Sequence, residues 1–467
     1  MVFSSMIFLW IFLPVTLIVY YLLHLTRNIK LMNVWLLCAS IFFYSWGEPR
    51  YIALLIVSVC INFLSGLLIW YFRGKRAVNA ALLACVTANL LLLGYFKYYD
   101  FAAGLLNALL GHELLPIRDI VLPIGISFYT FQAMSYVIDL YRGRTDVQKS
   151  LYKLALYITF FPQLVAGPIV RYRDIASQID HREVDTEKFT YGVQRVAIGL
   201  GKKVLIANTV ARGADRIFAM DLTYLSTAEA WAGIILYALQ IYYDFSGYSD
   251  MAIGLGKMFG FDFLENFDLP YVSRSIREFW RRWHISLSTW FREYLYIPLG
   301  GNRKGNFRTC LNLMIVFFCT GLWHGAGLNF IFWGLFHGIF LLLERVFLGE
   351  LLEKNRFKLL NHIYALLVIL IGWVLFRAET LPQAGEYITA LFVPRYAFTD
   401  TFTELLGRNC ILAGAVGILF AGVVPKAWME RASNNAYFRL LYVPVLTGLS
   451  IVMLASDAYN PFIYFRF

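Results

Sequence analysis

The sequence predicts an all-α polytopic membrane protein: about 10–12 transmembrane helices, with further interfacial or re-entrant helices, in a single domain over residues 1–467. Hydrophobic residues make up 59% of the chain and charged residues 15%, with a mean hydropathy of +0.61. Soluble domains have about 45–50% apolar and about 25% charged residues. Apolar segments of about 20 residues, long enough to cross about 30 Å of hydrocarbon, recur along the chain. Lys and Arg lie mostly in the short loops between them.

The net charge of +11 fits the same class. Lys and Arg concentrate in the short cytoplasmic loops of membrane proteins. The positive net charge is therefore explained by a membrane location, and we expect contact with membrane lipid and no nucleic acid partner. The six cysteines lie in or beside apolar runs and form no C-x-x-C pair. Because buried Cys packs as a small hydrophobe, we expect neither a disulfide nor a metal site.

The predicted spans begin at the N-terminus. Its apolar run has no positive n-region and no small-x-small cleavage site, so we expect a retained span and no signal peptide. The first positive residues, Arg27 and Lys30, follow this run and place the N-terminus outside. Residues 193–219 carry five Lys and Arg and are not predicted to span. The later apolar segments lie at roughly 31–47, 51–72, 78–96, 120–141, 151–169, 228–245, 311–323, 328–343, 358–376, 409–425 and 439–455.

The segment from Asp262 to Arg308 is too charged to cross lipid. At helical spacing it has an aromatic stripe and a basic, polar stripe. The first comprises Phe279, Trp283, Leu287, Trp290 and Tyr294, and the second comprises Arg277, Arg281, His284 and Ser288. We therefore predict one amphipathic helix in the membrane interface. On pattern alone it is either a membrane anchor with a solvated His284 or a functional surface.

The stretch TGLWHGAG, residues 320–327, lies in a run of 35 residues without Asp, Glu, Lys or Arg. Glycines interrupt the run, so we expect two helices that meet near His324, with irregular backbone buried in protein or lining a cavity. Gly334 and Gly338 form a small-x-x-x-small pair that lets another helix approach. A buried imidazole stays neutral at pH 7 and can take a proton from a hydroxyl. His324 and His337 are the candidates, and for each the alternative is a core histidine bonded to backbone.

A third polar group lies in YYDFSGYSDMAIGLGKMFGF, residues 242–261. Asp244 and Asp250 are interleaved there with Tyr, Ser and Gly. These carboxylates are hydrated structural groups, partners of the basic segment that follows, or groups that orient a histidine. Cation binding by the two aspartates is a further alternative, although their spacing matches no known cation-binding loop, and we assign no metal ligands.

Two motifs together resemble a known enzyme family. EFWRRWHISLSTWFREYLYIPLGGNRKG and GLWHGAGLNFIFWGLFHG are similar to the histidine motifs of the membrane-bound O-acyltransferases. Within that family they resemble the branch that O-acetylates alginate and other bacterial cell-envelope polysaccharides. FPQLVAGPIVRY at 161–172, the segment 242–261 and the tail NPFIYFRF at 460–467 also look like that branch. The likeness covers nearly the whole chain.

The resemblance implies a fold and roles for two histidines. Tilted helices would surround a central funnel that narrows near the catalytic residue. The protein would lie in a bacterial plasma membrane. His324 matches the position of the general base, and His284 matches its cytoplasm-side partner, which would steady the thioester or the developing oxyanion. As weaker candidates for substrate or tunnel positions we add Trp323, Asn329, Trp283, Arg281, Ser288, Asp244 and Asp250.

The resemblance also implies a donor and a partner. Acetyl-CoA is the expected donor, attracted from the cytoplasm by the basic segment, and no cofactor is expected to be bound permanently. The alternative donor is an acyl-phosphopantetheine carrier protein. Because we see no soluble domain that could bind a polymer outside, we expect a separate extracytoplasmic transferase as partner.

Two other functions stay open on the sequence. One is D-alanyl transfer to teichoic acid from a phosphopantetheine carrier protein, which resembles the leading function. The other is a proton-coupled transporter or flippase that uses intramembrane histidines as proton relays. Substrate flux that survives without an acyl donor would favour the transporter.

Overall fold

The regular elements of the chain are helices throughout the part that the structure describes. The computed structural model describes residues 1–395, 402–456 and 459–461. Many large apolar side chains on these helices are exposed, as expected for surfaces that face lipid. The predicted all-α class is therefore confirmed. Residues 462–467 of the tail motif lie outside the described residues.

The chain forms two compact units. The first contains residues 1–196 and 251–264, and the second contains residues 197–250 and 265–467. All of the predicted catalytic and tunnel residues fall in the second unit. The prediction of a single domain stays a prediction.

The N-terminal helices follow the predicted apolar segments. Asn28 starts one of them, since its Oδ1 accepts hydrogen bonds from the N–H groups of Lys30 and Leu31. The helices are α1 (Leu13–Leu25), preceded by a π-helical turn at Phe8–Phe12, α2 (Ile29–Gly47), α3 (Ile52–Tyr71), α4 (Ala77–Leu110), α5 (Ile126–Tyr141), α6 (Leu151–Thr159), α7 (Phe161–Leu164), α8 (Tyr172–Asp180) and α9 (Thr186–Gly201). Helix α4 continues well past its predicted end at residue 96.

One predicted span starts later than expected. The sequence predicts a span over 120–141, but the helix begins only after Gly125, whose φ of 78° is left-handed. A Cβ at this glycine would lie 2.6 Å from the backbone oxygen of Leu164, so the close approach of that segment requires glycine. The non-helical residues before it explain why this helix is short.

The predicted span over 151–169 is wrong. The helix breaks at Phe160, whose ψ is 112°, and a four-residue helix follows. The N–H of Phe161 donates to Oγ of Ser40 at 3.1 Å, which satisfies one of the groups freed by the break. An apolar run can thus be irregular backbone buried in protein instead of a spanning helix.

Eight helices in the described ranges are long and apolar enough to cross a membrane. They are Phe8–Leu25, Ile29–Gly47, Ile52–Tyr71, Ala77–Leu110, Gly305–His324, Leu328–Lys354, Lys358–Arg377 and Ala436–Ser456. A ninth is possible if Arg408–Val423 and Lys426–Asn434, bent by 101°, count together. This is fewer than the ten to twelve expected, because α5 and α6 are too short and the span predicted at 228–245 contains polar residues such as Gln240 and Asp244.

The helices after residue 201 build most of the second unit. They are α10 (Asn208–Phe218), α11 (Thr227–Met258), α12 (Ile276–Arg282), α13 (Ile285–Phe291), α14 (Gly305–His324), α15 (Leu328–Leu343), α16 (Gly349–Lys354), α17 (Lys358–Arg377), α18 (Leu381–Phe392), α19 (Phe402–Leu406), α20 (Arg408–Ile418), α21 (Lys426–Asn434) and α22 (Ala436–Ser456). Turns of π-helix lie at Lys202–Ala207, Arg292–Tyr296, Glu344–Leu348 and Leu419–Val423.

Helices α14 and α15 form a tight antiparallel pair. A Cβ at Gly321 would lie 2.3 Å from the oxygen of Phe330, and one at Gly334 would lie 2.2 Å from the oxygen of Phe317. Only glycine permits backbones to approach this closely. The predicted break between two helices and the predicted role of Gly334 are confirmed, and the partner helix is α14.

Candidate active site

The predicted amphipathic helix is two short helices with a break at His284. The first is capped by Ser275, whose Oγ accepts from the N–H of Glu278 at 3.0 Å, and the second begins at Ile285. His284 has φ 44° and ψ 54°, a left-handed conformation that is uncommon outside glycine. Its side chain is 0% exposed. The predictions of one continuous helix and of a basic face that includes His284 are therefore wrong, because the turn at His284 directs its ring into the protein.

The aromatic stripe of this segment is also inside the protein. Its five members, Phe279, Trp283, Leu287, Trp290 and Tyr294, are all buried. The ring of Phe279 stacks on Trp283 at 5.5 Å, and Trp283 lies 4.9 Å from Trp373 between centroids. The prediction that this stripe lies in the membrane interface is wrong. Large aromatic side chains form protein cores as readily as interfacial belts, and helical spacing alone does not separate the two.

A loop ahead of α12 holds the break in place. The N–H of Asp268 donates to the oxygen of Arg282 at 3.0 Å, and the guanidinium of Arg282 donates to the oxygen of Asp268 at 3.1 Å. Beyond the break, the N–H of Ile285 donates to the backbone oxygen of Asn266 at 2.9 Å. The backbone is thus bonded on both sides of His284, which keeps this residue in its unfavourable conformation.

Asn266 also sets the tautomer of the His284 ring. Its Oδ1 accepts from the N–H of Ser286 at 3.2 Å, and its Nδ2 donates to Oγ of Ser249 at 3.0 Å. Because a backbone N–H only donates, the amide oxygen faces His284. Nδ1 of His284, 3.3 Å from this oxygen, must therefore carry the proton, and Nε2 carries the lone pair. Burial lowers the pKa of His284 to about 3, so the ring is neutral at pH 7.

His324 ends α14 and lies next to His284. The extended backbone of Gly325, with φ −164° and ψ 156°, terminates the helix. The two imidazole rings are 6.4 Å apart between centroids, and the ring of Trp323 lies 5.8 Å from His284 and 5.0 Å from His324. His324 is 5% exposed, and its ring lies 5.0 Å from that of Trp333 between centroids. The prediction that His324 faces the protein interior is confirmed.

His337 belongs to a neighbouring aromatic group. It is 1% exposed, and its ring lies 5.3 Å from each of Trp280 and Trp333. Helix α17 closes over one edge of the ring, since a Cβ at Gly372 would lie 2.7 Å from Nε2. Trp333 contacts both His337 and His324, so one tryptophan connects the two histidines of the uncharged run.

A cleft of about 1210 Å³ lies in the same unit. Arg281 and Ser288 of the predicted basic face line it, as do Trp280 and Thr320, which precedes His324 by one helical turn. Its basic lining residues are Arg274, Arg277, Arg281, Arg292, Arg303, Arg345 and Lys358, and its acidic ones are Glu344, Glu350 and Glu353. The excess of basic groups favours anionic molecules. The lining does not include His284 or His324.

Two weaker candidates make structural contacts. Nδ2 of Asn329 donates to the oxygen of Ala378 at 2.9 Å, which joins the start of α15 to the end of α17. The ring of Trp283 contacts those of Phe267 at 5.0 Å and Trp373 at 4.9 Å. These contacts account for both residues through packing, and their tunnel roles stay predictions.

Asp244 and Asp250 form ion pairs with lysines of the π-helical turn that starts at residue 202. Oδ1 of Asp244 lies 2.7 Å from Nζ of Lys203, and Oδ2 of Asp250 lies 2.6 Å from Nζ of Lys202. Lys203 also donates to the backbone oxygen of Pro461. Both lysines precede the aspartates in the chain, and the predicted pairing with the basic segment that follows stays a prediction. The pairs let a segment rich in basic residues lie against the protein interior.

The spanning helices define a multi-pass membrane protein, and two buried histidines lie next to each other in it. Residues 147–381 match the membrane-bound O-acyltransferase family. The chain is 46% identical to a probable alginate O-acetylase of Pseudomonas aeruginosa over 100% of both chains. It is 37% identical to a peptidoglycan O-acetyltransferase of Helicobacter pylori over 84% of this chain and 80% of that one. It is 27% identical to a teichoic acid D-alanyltransferase of Bacillus subtilis over 58% of this chain and 69% of that one.

This chain therefore belongs to the membrane-bound O-acyltransferase family and is an enzyme that transfers acyl groups to hydroxyl groups. The resemblance inferred from the two histidine motifs is confirmed. The alternative of a transporter or flippase finds no support in these matches.

Asn266 is a site residue that was not predicted from the sequence. It lies in a loop 18 residues before His284, and no single helix contains both residues, so a periodic pattern does not connect them. Trp280 and Trp333 were also missed as site residues, since both read as ordinary core aromatics. The one available signal was their place inside the two histidine motifs.

Proposed function

We propose that this chain transfers an acetyl group from cytoplasmic acetyl-CoA toward a hydroxyl of an extracytoplasmic cell-envelope polysaccharide, alginate-like or another glycan. The observation that carries the proposal is the buried contact between His284 and His324, in the unit that also contains the basic cleft. The names of the two most similar relatives described above support acetyl as the group and a glycan as the acceptor.

The cleft supports a phosphate-bearing donor. Seven basic and three acidic side chains line it, and arginine is well suited to phosphate because its planar guanidinium donates two parallel hydrogen bonds. The cleft extends to Trp280 and Thr320, so a donor held there by its phosphates has its thioester end directed at the aromatic rings around His324. In this proposal acetyl-CoA is a substrate, and no cofactor is bound permanently.

His324 is the proposed general base. It removes the proton of the acceptor hydroxyl while the hydroxyl oxygen attacks the carbonyl carbon of the thioester. The carbon–sulfur bond then breaks, and the thiolate leaves and regains a proton from the imidazolium. A positioned base of this kind contributes about 10²–10⁴ in rate. No Gly-x-Ser-x-Gly elbow lies near either histidine, so we favour direct transfer over a serine acyl-enzyme.

The role proposed for His284 differs from the one that the resemblance implies. A donor to the oxyanion needs a ring N–H that faces the reaction, but the N–H at Nδ1 is directed at Asn266 and Nε2 carries a lone pair. His284 therefore acts as an acceptor, which receives a hydrogen bond from the substrate hydroxyl and orients it toward His324. The groups that bind the oxyanion must lie elsewhere.

The proposed setting is a bacterial plasma membrane with the N-terminus outside. The supports are the positive residues that follow the first span, Arg27 and Lys30, and the bacterial relatives. We further propose a separate extracytoplasmic transferase as partner, which passes the acetyl group on to the polymer.

The test is transfer of labelled acetyl from CoA by the purified chain in lipid nanodiscs. We expect wild-type protein to release CoA and His324→Ala to lose at least about 10²-fold in that rate, while it still binds acetyl-CoA. His112→Ala is the control, since His112 is exposed and lies in the other unit. A His324→Ala variant with the wild-type rate contradicts the base role. Transfer of D-alanine from a carrier protein, with none from acetyl-CoA, supports the alternative instead.

A further inference from the structure

Three buried ring nitrogens near His324 have no hydrogen-bond partner among the described residues. They are Nε1 of Trp280, Nε1 of Trp333 and Nδ1 of His337. The three side chains are 8%, 0% and 1% exposed. Their rings form a triangle of steeply inclined contacts, with centroids 5.7 Å apart for the two tryptophans and 5.3 Å from each tryptophan to the histidine.

This triangle lies between the cleft and His324. Trp280 lines the cleft, and the opposite member, Trp333, contacts the ring of His324 at 5.0 Å with an interplanar angle of 88°. The three rings therefore connect the cleft lining to the ring of His324.

An indole N–H is a donor only, and burying a donor without an acceptor carries a free-energy penalty. Two other tryptophans of this unit avoid this penalty, because their indole N–H groups have an acceptor. Nε1 of Trp373, which stacks at 6.1 Å on Trp333, donates to the hydroxyl of Tyr271 at 3.1 Å. Nε1 of Trp231 donates to the oxygen of Leu391 at 2.9 Å. Two buried indoles without an acceptor among the described residues, those of Trp280 and Trp333, join the cleft to His324, which points to an acceptor atom on the substrate.

We propose that the indole N–H groups of Trp280 and Trp333, with Nδ1 of His337, bind the carbonyl oxygen of the acyl thioester. When the hydroxyl oxygen attacks, the carbonyl π electrons move onto that oxygen, and preorganised donors in a water-poor site stabilise the charge. These electrons form the carbonyl π bond again as the carbon–sulfur bond breaks and the thiolate leaves. This assignment rests on the proposed acyl transfer, and it supplies the donors that His284 does not.

The experiment compares Trp333→Phe with Trp373→Phe. Both remove a fully buried indole from the same aromatic cluster, but only Trp333 has an N–H without a protein acceptor. We expect Trp333→Phe to lower kcat for acetyl-CoA by about 10²–10³-fold and Trp373→Phe to lower it by less than about tenfold. Binding of S-ethyl-CoA, a thioether without the carbonyl oxygen, should change by less than about twofold in Trp333→Phe.

Equal losses of kcat in the two variants, or weaker binding of S-ethyl-CoA in Trp333→Phe, would overturn the assignment, because both results mean lost packing. If Trp333→Phe does not fold, Trp280→Phe at the edge of the cleft takes its place with the same expected results. A wild-type protein that binds acetyl-CoA and never releases CoA contradicts the proposed function. If the wild type is active and Trp333→Phe is equally active, the carbonyl-binding assignment is wrong and the proposed acyl transfer is not contradicted.

Discussion

Oδ1 of Asn266 lies 3.3 Å from Nδ1 of His284, and the backbone oxygen of the same asparagine accepts a hydrogen bond from Ile285, the residue after His284, at 2.9 Å. One residue thereby holds the left-handed turn, at φ 44°, and the tautomer of the ring at its apex. Asn266 makes no contact with the cleft in this arrangement, since it is not part of the lining. It is a positioning residue, and its effect on the reaction passes through His284.

Asn266→Leu should lower kcat with little change in KM. Leucine has the same branching and number of side-chain heavy atoms as asparagine but leaves the N–H of Ser286 and the ring of His284 without their acceptor, so the ring is free to rotate or change tautomer. A buried donor left unsatisfied costs about 1–3 kcal/mol, and we expect a loss of about 10-fold to 10²-fold in kcat. Steady-state CoA release at saturating acetyl-CoA measures it.

Asn266→Asp should recover part of that activity and change its pH dependence. The carboxylate keeps an acceptor for Nδ1–H but adds a negative charge, which favours the protonated ring. Burial lowers the pKa of His284 to about 3 in the wild type, so the neutral form persists down to that pH. The variant raises this pKa, and the acid limb of the kcat–pH profile should therefore move to higher pH.

The control for both variants is Asn312→Leu, which removes another buried amide of the same unit, one that donates to the oxygen of Gly301 at 2.9 Å. It should affect stability and leave the pH profile where it is. If Asn266→Leu matches the control in kcat, or if Asn266→Asp shows the wild-type acid limb, the positioning role is wrong.

The basic cleft gives a prediction about donor binding. Arg277→Glu combined with Arg281→Glu reverses two charges in the lining. We expect KM for acetyl-CoA to rise by about 10-fold or more, equivalent to about 1.4 kcal/mol, with a smaller change in kcat. The wild-type KM should also rise with salt, because screening weakens attraction between exposed charges. Initial rates over a range of donor and salt concentrations measure both.

Arg356→Glu is the matched control, since this exposed arginine is not among the lining residues. It should leave KM unchanged. An unchanged KM in the double variant as well would mean that the cleft serves the membrane surface or another ligand, and the donor would have to reach His324 by a different route.

The features that could be predicted from the sequence depend on residues that are close together in the chain. Glycine spacing in the uncharged run predicts two helices that meet at His324 and a close helix pair at Gly334, and both are present. These features depend on residues within one hairpin, where a missing Cβ has a direct geometric consequence. The motifs that identify the family likewise consist of residues that are close together in the chain.

The rest could not be predicted because it depends on contacts between distant segments. Helical spacing from residue 276 to 294 is regular, yet the chain breaks at His284 since a loop 18 residues earlier supplies Asn266 and Asp268 to hold the turn. Tertiary hydrogen bonds here override a periodic pattern. Likewise, the apolar run at 151–169 is broken where Ser40 offers a hydroxyl to a freed backbone N–H.

The helix pair beneath His324 provides a test that is independent of the donor. Gly334→Ala places a Cβ 2.2 Å from the backbone oxygen of Phe317, so α15 must move away from α14, and Trp333, the neighbouring residue, moves relative to His324. Overpacking of this kind costs about 1–3 kcal/mol, and we expect a lower Tm together with a lower kcat. The control is Gly448→Ala in α22, where no described atom lies within 4 Å of the added Cβ. Replacing glycine by alanine inside a helix is stabilising by about 0.5–1 kcal/mol. The Tm of this control variant should therefore hold or rise. Thermal unfolding in detergent and CoA release measure the two effects, and a Gly334→Ala variant with wild-type Tm and kcat would show that the position of Trp333 against His324 does not depend on this contact.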